Sequence, residues 1–165
     1  MRNYDREIFD LIIQVINNIP VALVIDNKVL VMHAGINSAN LKISDLKAIP
    51  KDVDVDDNEL LDAILWTEPQ DEIGLSKDHQ GRGGFGPDIS RAFLEQNSLL
   101  RIIRGHTNVE DGFDEQHDGK IVTVWSAPAR GEKGSFVNMN SKLDLHVEHF
   151  DAFPVLTTVK DWGSL

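Results

Sequence analysis

Two histidines directly follow apolar segments of the sequence, and each has a small residue beside it. His33 comes after Val29–Met32 and before an alanine, while His106 comes after Leu100–Arg104 and a glycine. Sites built on sheets usually lie at strand ends, and neutral imidazole is a common ligand of divalent metals. For each histidine taken alone, an ordinary, partly exposed turn position is the more common alternative. Because a metal site needs three or more protein ligands, both interpretations stay open.

A glycine-rich segment could provide a different chemistry. Ser76–Pro87 contains four glycines and Arg82, and a helix is predicted to begin at its end. Backbone N–H groups, a helix N-terminus and an arginine could together hold a phosphate. The spacing matches neither the Walker loop nor the dinucleotide-binding pattern, so an ordinary surface loop is the alternative.

Three other histidines are predicted to lie on the surface or in hairpins, namely His117, His146 and His149. His146 and Glu148 would share one strand face, either as a ligand pair or, more simply, as part of a solvated face. The acidic run Asp52–Asp57 lacks the spacing of a calcium loop and is interpreted as a solvated loop.

The two tryptophans in apolar segments, Trp66 and Trp125, are predicted to be core residues and not binding platforms.

The elements that must position these residues follow from periodicity and turn residues. Helices are predicted from about Ile8 to Asn18, over Ser44–Ala48 and Asn58–Trp66, and from Pro87 to about Asn97 with Ile89, Ala92, Phe93 and Leu99 facing inward. Strands are predicted at Val21–Ile25, Lys28–Met32, Leu100–Arg104, Ser135–Met139 and Leu143–Phe150, with a hairpin over Gly112–Val124. Turns are placed at Asp26–Asn27 and Asp118–Gly119. The predicted fold class is α+β or mixed α/β, with sheet dominating the second half.

Composition excludes several functions. The 165 residues include 16 Lys+Arg and 27 Asp+Glu, a net charge of −11, which disfavours binding to nucleic acid or anionic membrane. The absence of cysteine excludes disulfides, thiolate metal sites and a cysteine nucleophile. Apolar runs of four to five residues are too short for a transmembrane helix, and the first residues do not resemble a secretory signal.

Five segments occur in an order and spacing that are specific to one family. They are Ile19–Ala22 with Val31–Gly35, Ile64–Pro69, Phe85–Ile89 with Arg91–Leu94, Arg104–His106 with Glu110–Phe113, and Val122–Pro128. Over about residues 2–155 the chain resembles the second half of the catalytic domain of the PPP serine/threonine protein phosphatases. It looks most similar to the branch that carries tetratricopeptide repeats.

The resemblance implies that His33 and His106 are ligands of one ion in a two-metal centre. Such a centre activates water for attack on a phosphoserine or phosphothreonine. The implied fold is α+β, the C-terminal half of a metallophosphoesterase-type β-sandwich flanked by helices. The implied metal is Mn, Fe or Zn, held only when the missing half completes the centre.

The chain departs from the family pattern in three places. The family's Gly-Asp-x-His-Gly, Gly-Asp-x-x-Asp-Arg-Gly and Gly-Asn-His-Glu motifs, which supply the other ligands, are absent from this sequence. His79 occupies the aligned position of a phosphate-binding arginine, and Arg82 reaches that position only if the loop is shortened. Ala129 and Arg130 replace the residues that follow Ser-Ala-Pro in the family, including an active-site tyrosine.

We therefore expect residues 1–155 to form a partial phosphatase domain and residues 156–165 to form a tail. The chain alone is expected to be inactive, and its alternative role is that of a non-catalytic pseudophosphatase in a larger assembly. The expected partner is a second protein chain or the missing N-terminal half, and the substrate of an active form is a phosphoprotein. We expect an intracellular location, cytoplasmic or nuclear, and binding to neither nucleic acid nor membrane.

Overall fold

The computed structural model describes residues 5–77, 83–129 and 131–152. Within these ranges the helices are α1 Arg6–Asn18, α2 Ile43–Lys47, α3 Glu59–Trp66 and α4 Pro87–Gln96. The strands are β1 Ala22–Ile25, β2 Val29–Met32, β3 Glu68–Pro69, β4 Gly84–Phe85, β5 Arg101–Arg104, β6 Phe113–Gln116, β7 Ile121–Val124, β8 Lys133–Met139 and β9 Leu145–Asp151. Short 3-10 turns lie at Val55–Asp57 and Glu110–Gly112.

A five-stranded mixed sheet organises the fold, with the strand order β1-β2-β5-β7-β6. The central strands β2, β5 and β7 are parallel, whereas β1 and β6 join the two edges as antiparallel hairpin partners. The strands β3 and β4 form a small parallel pair, and β8 and β9 form a separate antiparallel hairpin. The arrangement confirms the predicted α+β class.

Both predicted tight turns are present, since their residues tolerate a left-handed backbone. Asp26 and Asn27 have φ values of 50° and 52° between β1 and β2. Asp118 and Gly119 have φ values of 58° and 72° between β6 and β7. Asn, Asp and Gly accept this conformation at little cost, so each pair closes a hairpin whose twist suits the flanking strands.

The hydrophobic core lies between the large sheet and α4. Sheet residues Leu30, Ile102 and Ile121 are fully buried against Phe93 and Leu94 of the helix. Full burial of side chains of this size contributes about 1.5–3 kcal/mol each. The core therefore holds together the strands whose ends carry the two histidines.

Helix α4 begins and ends where the sequence predicts. Pro87 opens it, and the side chain of Asn97 closes it by donating to the backbone carbonyl of Phe93 at 2.9 Å. Asn97 also accepts from the N–H of Ile43 at 3.0 Å, which ties α4 to the start of α2. The inward face differs in part from the prediction, because Ala92 is exposed and Ser90 occupies a fully buried position instead.

The first helix forms as predicted, but no residue of it is buried. Asp5 caps α1 by accepting from the N–H of Glu7 at 3.3 Å. Its large apolar side chains are between 38% and 65% exposed, and they are Ile8, Phe9, Leu11, Ile12, Ile13, Val15 and Ile16. The α1 face, defined by these seven residues, is therefore a continuous apolar surface open to solvent.

The last hairpin is shorter than predicted at its turn. Leu143 has a φ of 64°, which a strand cannot accommodate, and β9 starts at Leu145. The side chain of Asn140 organises the turn by accepting from the N–H groups of Lys142 at 2.8 Å and Asp144 at 3.1 Å. Among the described residues, no helix is long and apolar enough to cross a membrane.

Candidate functional site

Two adjacent parallel strands bring His33 and His106 together. In the register of β2 and β5, Met32 is opposite Arg104, so the chain leaves both strands at the same edge of the sheet. The N–H of Gly105 donates to the carbonyl of His33 at 3.0 Å and continues the pairing by one residue. The two histidines, which are 73 residues apart in sequence, therefore meet at the carboxyl ends of the central strands.

The two imidazoles face each other through one nitrogen each. The Nδ1 of His106 lies 3.0 Å from the Nε2 of His33, and the ring planes meet at 71°. His106 has a φ of 72°, a left-handed backbone that is uncommon for a residue other than glycine. Backbone strain of this kind is concentrated at functional sites, where the surrounding structure maintains it.

Trp66 forms part of this site, so the prediction that it is a core residue is wrong. It is 37% exposed, and its ring lies edge-on to that of His106 with the centroids 5.4 Å apart. The N–H of Ala34 donates to the carbonyl of Ile64 at 3.0 Å, which anchors the end of α3 next to β2. Trp66, two residues after the buried Ile64, therefore lies at the exposed edge of the site. Trp125, by contrast, is only partly exposed, and its Nε1 is buried.

Glu68, Thr107 and Arg104 form a polar network behind the two imidazoles. The Thr107 hydroxyl donates to Glu68 Oε1 at 2.8 Å and accepts from Arg104 Nη1 at 2.7 Å. Arg104 Nε also donates to the carbonyl of Ala34 at 2.8 Å. Glu68 Oε1 lies 3.6 Å from His106 Nε2. No sequence pattern assigns these residues a role, although Ile64–Pro69 and Arg104–His106 are both segments that resemble the family.

Burial and charge tune two groups of the site. Desolvation lowers the pKa of Arg104 to about 10, against the opposing effect of the Glu68 carboxylate. Desolvation, and to a lesser extent the charge of Arg104, hold the pKa of His33 below its ordinary value. His33 therefore favours the neutral imidazole, which is the form that coordinates a metal ion.

The His33 and His106 nitrogens fit part of a metal donor set. Imidazole nitrogens lie about 2.0–2.1 Å from zinc, so two ligands of a tetrahedral ion are about 3.3 Å apart. The observed separation of 3.0 Å is slightly shorter than this value. Among the residues that the structure describes, no group of three or more His, Asp or Glu side chains could hold an ion. The pair suits a divalent metal but requires ligands from elsewhere, and its metal-binding role stays a prediction.

His117 lies in the β6–β7 hairpin turn, one of the two predicted positions, and it is partly buried. Its Nδ1 is 2.8 Å from the hydroxyl of Ser90, and its Nε2 is 2.9 Å from the carbonyl of Gln70. Its ring lies edge-on to Phe85 with a centroid distance of 5.8 Å. Ser90 is fully buried, and its hydrogen bond with His117 connects the β6–β7 turn to α4.

The remaining candidates that the structure describes do not form a second site. His146 and Glu148 are both exposed, and Glu148 Oε1 accepts from Asn138 at 2.7 Å, as befits a solvated strand face. His149 is exposed and its Nδ1 lies 2.8 Å from the carbonyl of Asp111. The phosphate candidates His79 and Arg82 lie outside the described residues, as does Arg130, and their roles stay predictions.

Comparison with known proteins identifies the family. A sequence model described as calcineurin-like phosphoesterase matches residues 2–110, a span that includes both histidines. The chain belongs to the calcineurin-like phosphoesterase family. This family uses divalent metals, in agreement with the two imidazoles at the strand ends.

The relatives of this calcineurin-like phosphoesterase are serine/threonine phosphatases. It is 34% identical over 159 residues to serine/threonine-protein phosphatase T of Aspergillus oryzae, and 35% identical over 162 residues to serine/threonine-protein phosphatase 5 of Solanum lycopersicum. These alignments cover 92% and 93% of this chain but only 33% and 29% of the relatives. The chain thus spans about a third of their length. The names confirm the resemblance to the tetratricopeptide-repeat-bearing branch.

A solved structure confirms the fold. A serine/threonine phosphatase from Saccharomyces cerevisiae, described as similar to human phosphatase PP5, superposes with a TM-score of 0.84 at 29% identity. The superposition covers 93% of this chain and 54% of the yeast structure. The calcineurin-like phosphoesterase chain therefore has the fold of about half of that structure, and the predicted metallophosphoesterase architecture is confirmed.

Proposed function

We propose that this chain is the C-terminal half of a metal-dependent serine/threonine phosphoprotein phosphatase and that it is inactive without the other half. The observation that carries the proposal is the pair of imidazole nitrogens 3.0 Å apart at the ends of β2 and β5. His33 and His106 would hold one side of a divalent ion, Mn, Fe or Zn. Such an ion, when bound, supplies a Lewis acid and lowers the pKa of coordinated water.

The chain's own residues provide binding and orientation. Burial and Arg104 favour neutral His33, and a neutral imidazole can coordinate an ion through one of its two nitrogens. Two protein ligands hold an ion weakly, which makes the remaining carboxylate and amide ligands essential. Those ligands belong to the family motifs that this sequence lacks. We infer that they come from a second protein chain or from an N-terminal half preceding these residues in a longer polypeptide.

The α1 face supports the need for such a partner. Its seven apolar side chains are all at least 38% exposed, which is unusual for one contiguous surface of a soluble monomer. β1, which follows α1, carries Leu23 at 58% exposure on the edge strand of the large sheet. A completing half that covers this surface would bury apolar area while it supplies ligands. The substrate we propose for the completed enzyme is a phosphoprotein, and the location intracellular, cytoplasmic or nuclear.

A non-catalytic role is the second candidate, and a substitution in the sequence favours it. The family places an active-site tyrosine after Ser-Ala-Pro, whereas this chain has Ala129-Arg130-Gly131 after Pro128. Arg130 occupies the position of that tyrosine, so a charge replaces an aromatic hydroxyl. In this alternative the chain is a pseudophosphatase that keeps the half-fold as a structural or interaction subunit of a larger assembly.

Reconstitution distinguishes these candidates. We would measure turnover of a phosphoserine peptide with added Mn²⁺ by the chain alone and by the chain mixed with a polypeptide carrying the three missing motifs. The proposal expects no turnover by the chain alone and turnover by the mixture, abolished by His106→Ala but retained by the exposed-histidine control His146→Ala. Turnover by the chain alone would disprove inactivity. A mixture that forms a complex without metal or turnover would select the pseudophosphatase.

A further inference from the structure

We propose that Glu68 is a positioning residue for His106 and fixes its imidazole with the proton on Nε2 and a bare Nδ1 directed toward His33. The inference rests on the proposed function, because a bare Nδ1 matters most if that atom is to coordinate an ion. It concerns the orientation and the tautomer of one ring, both of which can be measured in the chain alone.

The placement of the carboxylate carries the inference. Glu68 Oε1 lies 3.6 Å from Nε2 of His106, on the side of the ring opposite the contact with His33. A negative charge at this distance favours an N–H at Nε2 over a lone pair. The side chain of His106 is only 19% exposed, so water competes weakly for the same nitrogen. Carboxylates that contact the outer nitrogen of a ligand histidine fix its tautomer and orientation in metal sites.

Hydrogen bonds restrict the side chain of Glu68 to one position. Half-exposed glutamates normally sample several rotamers, and Glu68 is 48% exposed. Here the Thr107 hydroxyl donates to Oε1 at 2.8 Å, and that hydroxyl accepts from the buried Arg104 at 2.7 Å. The Thr107 hydroxyl donates its proton to Glu68 and accepts from Arg104 through a lone pair. It therefore connects the carboxylate to the guanidinium with defined donor and acceptor roles.

The tautomer of His106 determines that of His33. A bare Nδ1 on His106 can only accept, so in the 3.0 Å contact the Nε2 of His33 must donate when no ion is present. An ion between the two nitrogens would require His33 to move its proton to Nδ1, while His106 would remain unchanged. The proposal therefore assigns different behaviour to the two rings.

The test is imidazole ¹⁵N–¹H correlation spectroscopy of the full chain in alkaline buffer, where imidazoles are neutral. We expect the Nε2–H form of His106 in the wild type. Glu68→Ala should shift its two ¹⁵N resonances toward a tautomer mixture, and Glu68→Gln, which removes only the charge, should shift them less. Thr107→Val should also shift them, whereas Thr107→Ser, which restores the hydroxyl, should not. Glu95→Ala, at an exposed position on α4, is the control.

Wild-type His106 in the Nδ1–H form would overturn the inference. So would unchanged His106 resonances in Glu68→Ala with an intact amide spectrum; if that variant does not fold, the Glu68→Gln and Thr107 pair provides the same comparison. A Zn²⁺ titration separates this inference from the proposed function. We expect Glu68→Ala to weaken Zn²⁺ binding by about 10- to 100-fold. A tautomer that depends on Glu68 would support the positioning role even in a chain that binds no Zn²⁺, whereas Zn²⁺ binding that His106→Ala does not weaken would count against the metal centre.

Discussion

Ser90 in the first half of α4 and His117 in the β6–β7 turn share a 2.8 Å hydrogen bond across 27 residues of sequence. The other nitrogen of His117 contacts the carbonyl of Gln70, which follows β3. The side chain of His117 thus connects α4, the β6–β7 turn and the loop that follows β3. The network fixes the segment that carries the carboxylate of the candidate site.

Removal of the Ser90 hydroxyl should destabilise this connection. Ser90→Ala leaves the Nδ1 of the partly buried His117 without its partner, and an unsatisfied polar atom away from water costs about 1–3 kcal/mol. We expect a loss of that size in the free energy of unfolding, measured by urea denaturation. Ser141→Ala, at an exposed position in the β8–β9 turn, should change it by less than about 0.5 kcal/mol. Equal effects of the two variants would contradict the role of the network.

Two glycines with similar backbone angles should tolerate alanine to different degrees. Gly119 has a φ of +72° with open space around it, so alanine there meets only the left-handed penalty of about 1–2 kcal/mol. Gly112 has a φ of +77°, and an added Cβ would lie 2.5 Å from the backbone nitrogen of Ser135. Gly112→Ala should therefore cost about 2–5 kcal/mol. Thermal unfolding of both variants measures the difference, and a smaller cost at Gly112 would refute it.

The carboxylate of Asp88 should make stability depend on pH. Its Oδ1 accepts from the N–H of Gly74 at 2.8 Å, and this hydrogen bond is the main reason that the pKa of Asp88 lies below the ordinary 3.8. A lowered folded-state pKa stabilises the fold above the unfolded-state pKa, and this stabilisation is lost as the pH falls through the folded value. Asp88→Asn should therefore flatten the acid side of the stability curve.

Urea midpoints measured from neutral pH down to below the ordinary aspartate pKa provide the test for Asp88. The exposed loop carboxylate Asp52, changed in the same way to Asn, is the matched control. If both variants retain the acid dependence of the wild type, Asp88 does not contribute to it.

The α1 face should make the isolated chain associate or bind apolar probes. Ile12 and Ile16 are 51% and 54% exposed on successive turns, so their replacement removes apolar contact area without loss of core packing. Ile12→Gln with Ile16→Gln should weaken association by at least about tenfold, since burial of one such side chain contributes about 1.5–3 kcal/mol. Sedimentation velocity and dye fluorescence measure both effects. The control Gln14→Ala, on the same helix, should leave them unchanged.

Local signals in the sequence predict most of the fold. The hairpin at Asp26–Asn27 and the start of α4 at Pro87 depend on residues within a few positions of each other, and both are confirmed. The pairing of His33 and His106 could be anticipated because both follow apolar strands, although only the family resemblance gave them a shared role.

The polar surroundings of the site could not be predicted in the same way. Glu68 and Thr107 are 39 residues apart, and Ser90 and His117 are 27 apart, so their contacts depend on how strands and helices pack. Trp66 is a large apolar residue in an apolar segment, yet its position at the C-terminal end of α3 leaves it partly exposed at the edge of the site. The contacts and exposure of such side chains depend on tertiary structure and cannot be predicted from local periodicity.

The parallel pairing of β2 with β5 has a consequence for the order of folding. Unlike the hairpins at both edges of the sheet, this pairing must close a loop of about 70 residues before any contact between the strands repays the lost chain entropy. Contacts of such high sequence separation form slowly. The two histidines should therefore come within reach of each other only late in folding, and a spectroscopic probe placed on either ring would report the last long-range step of the chain's assembly.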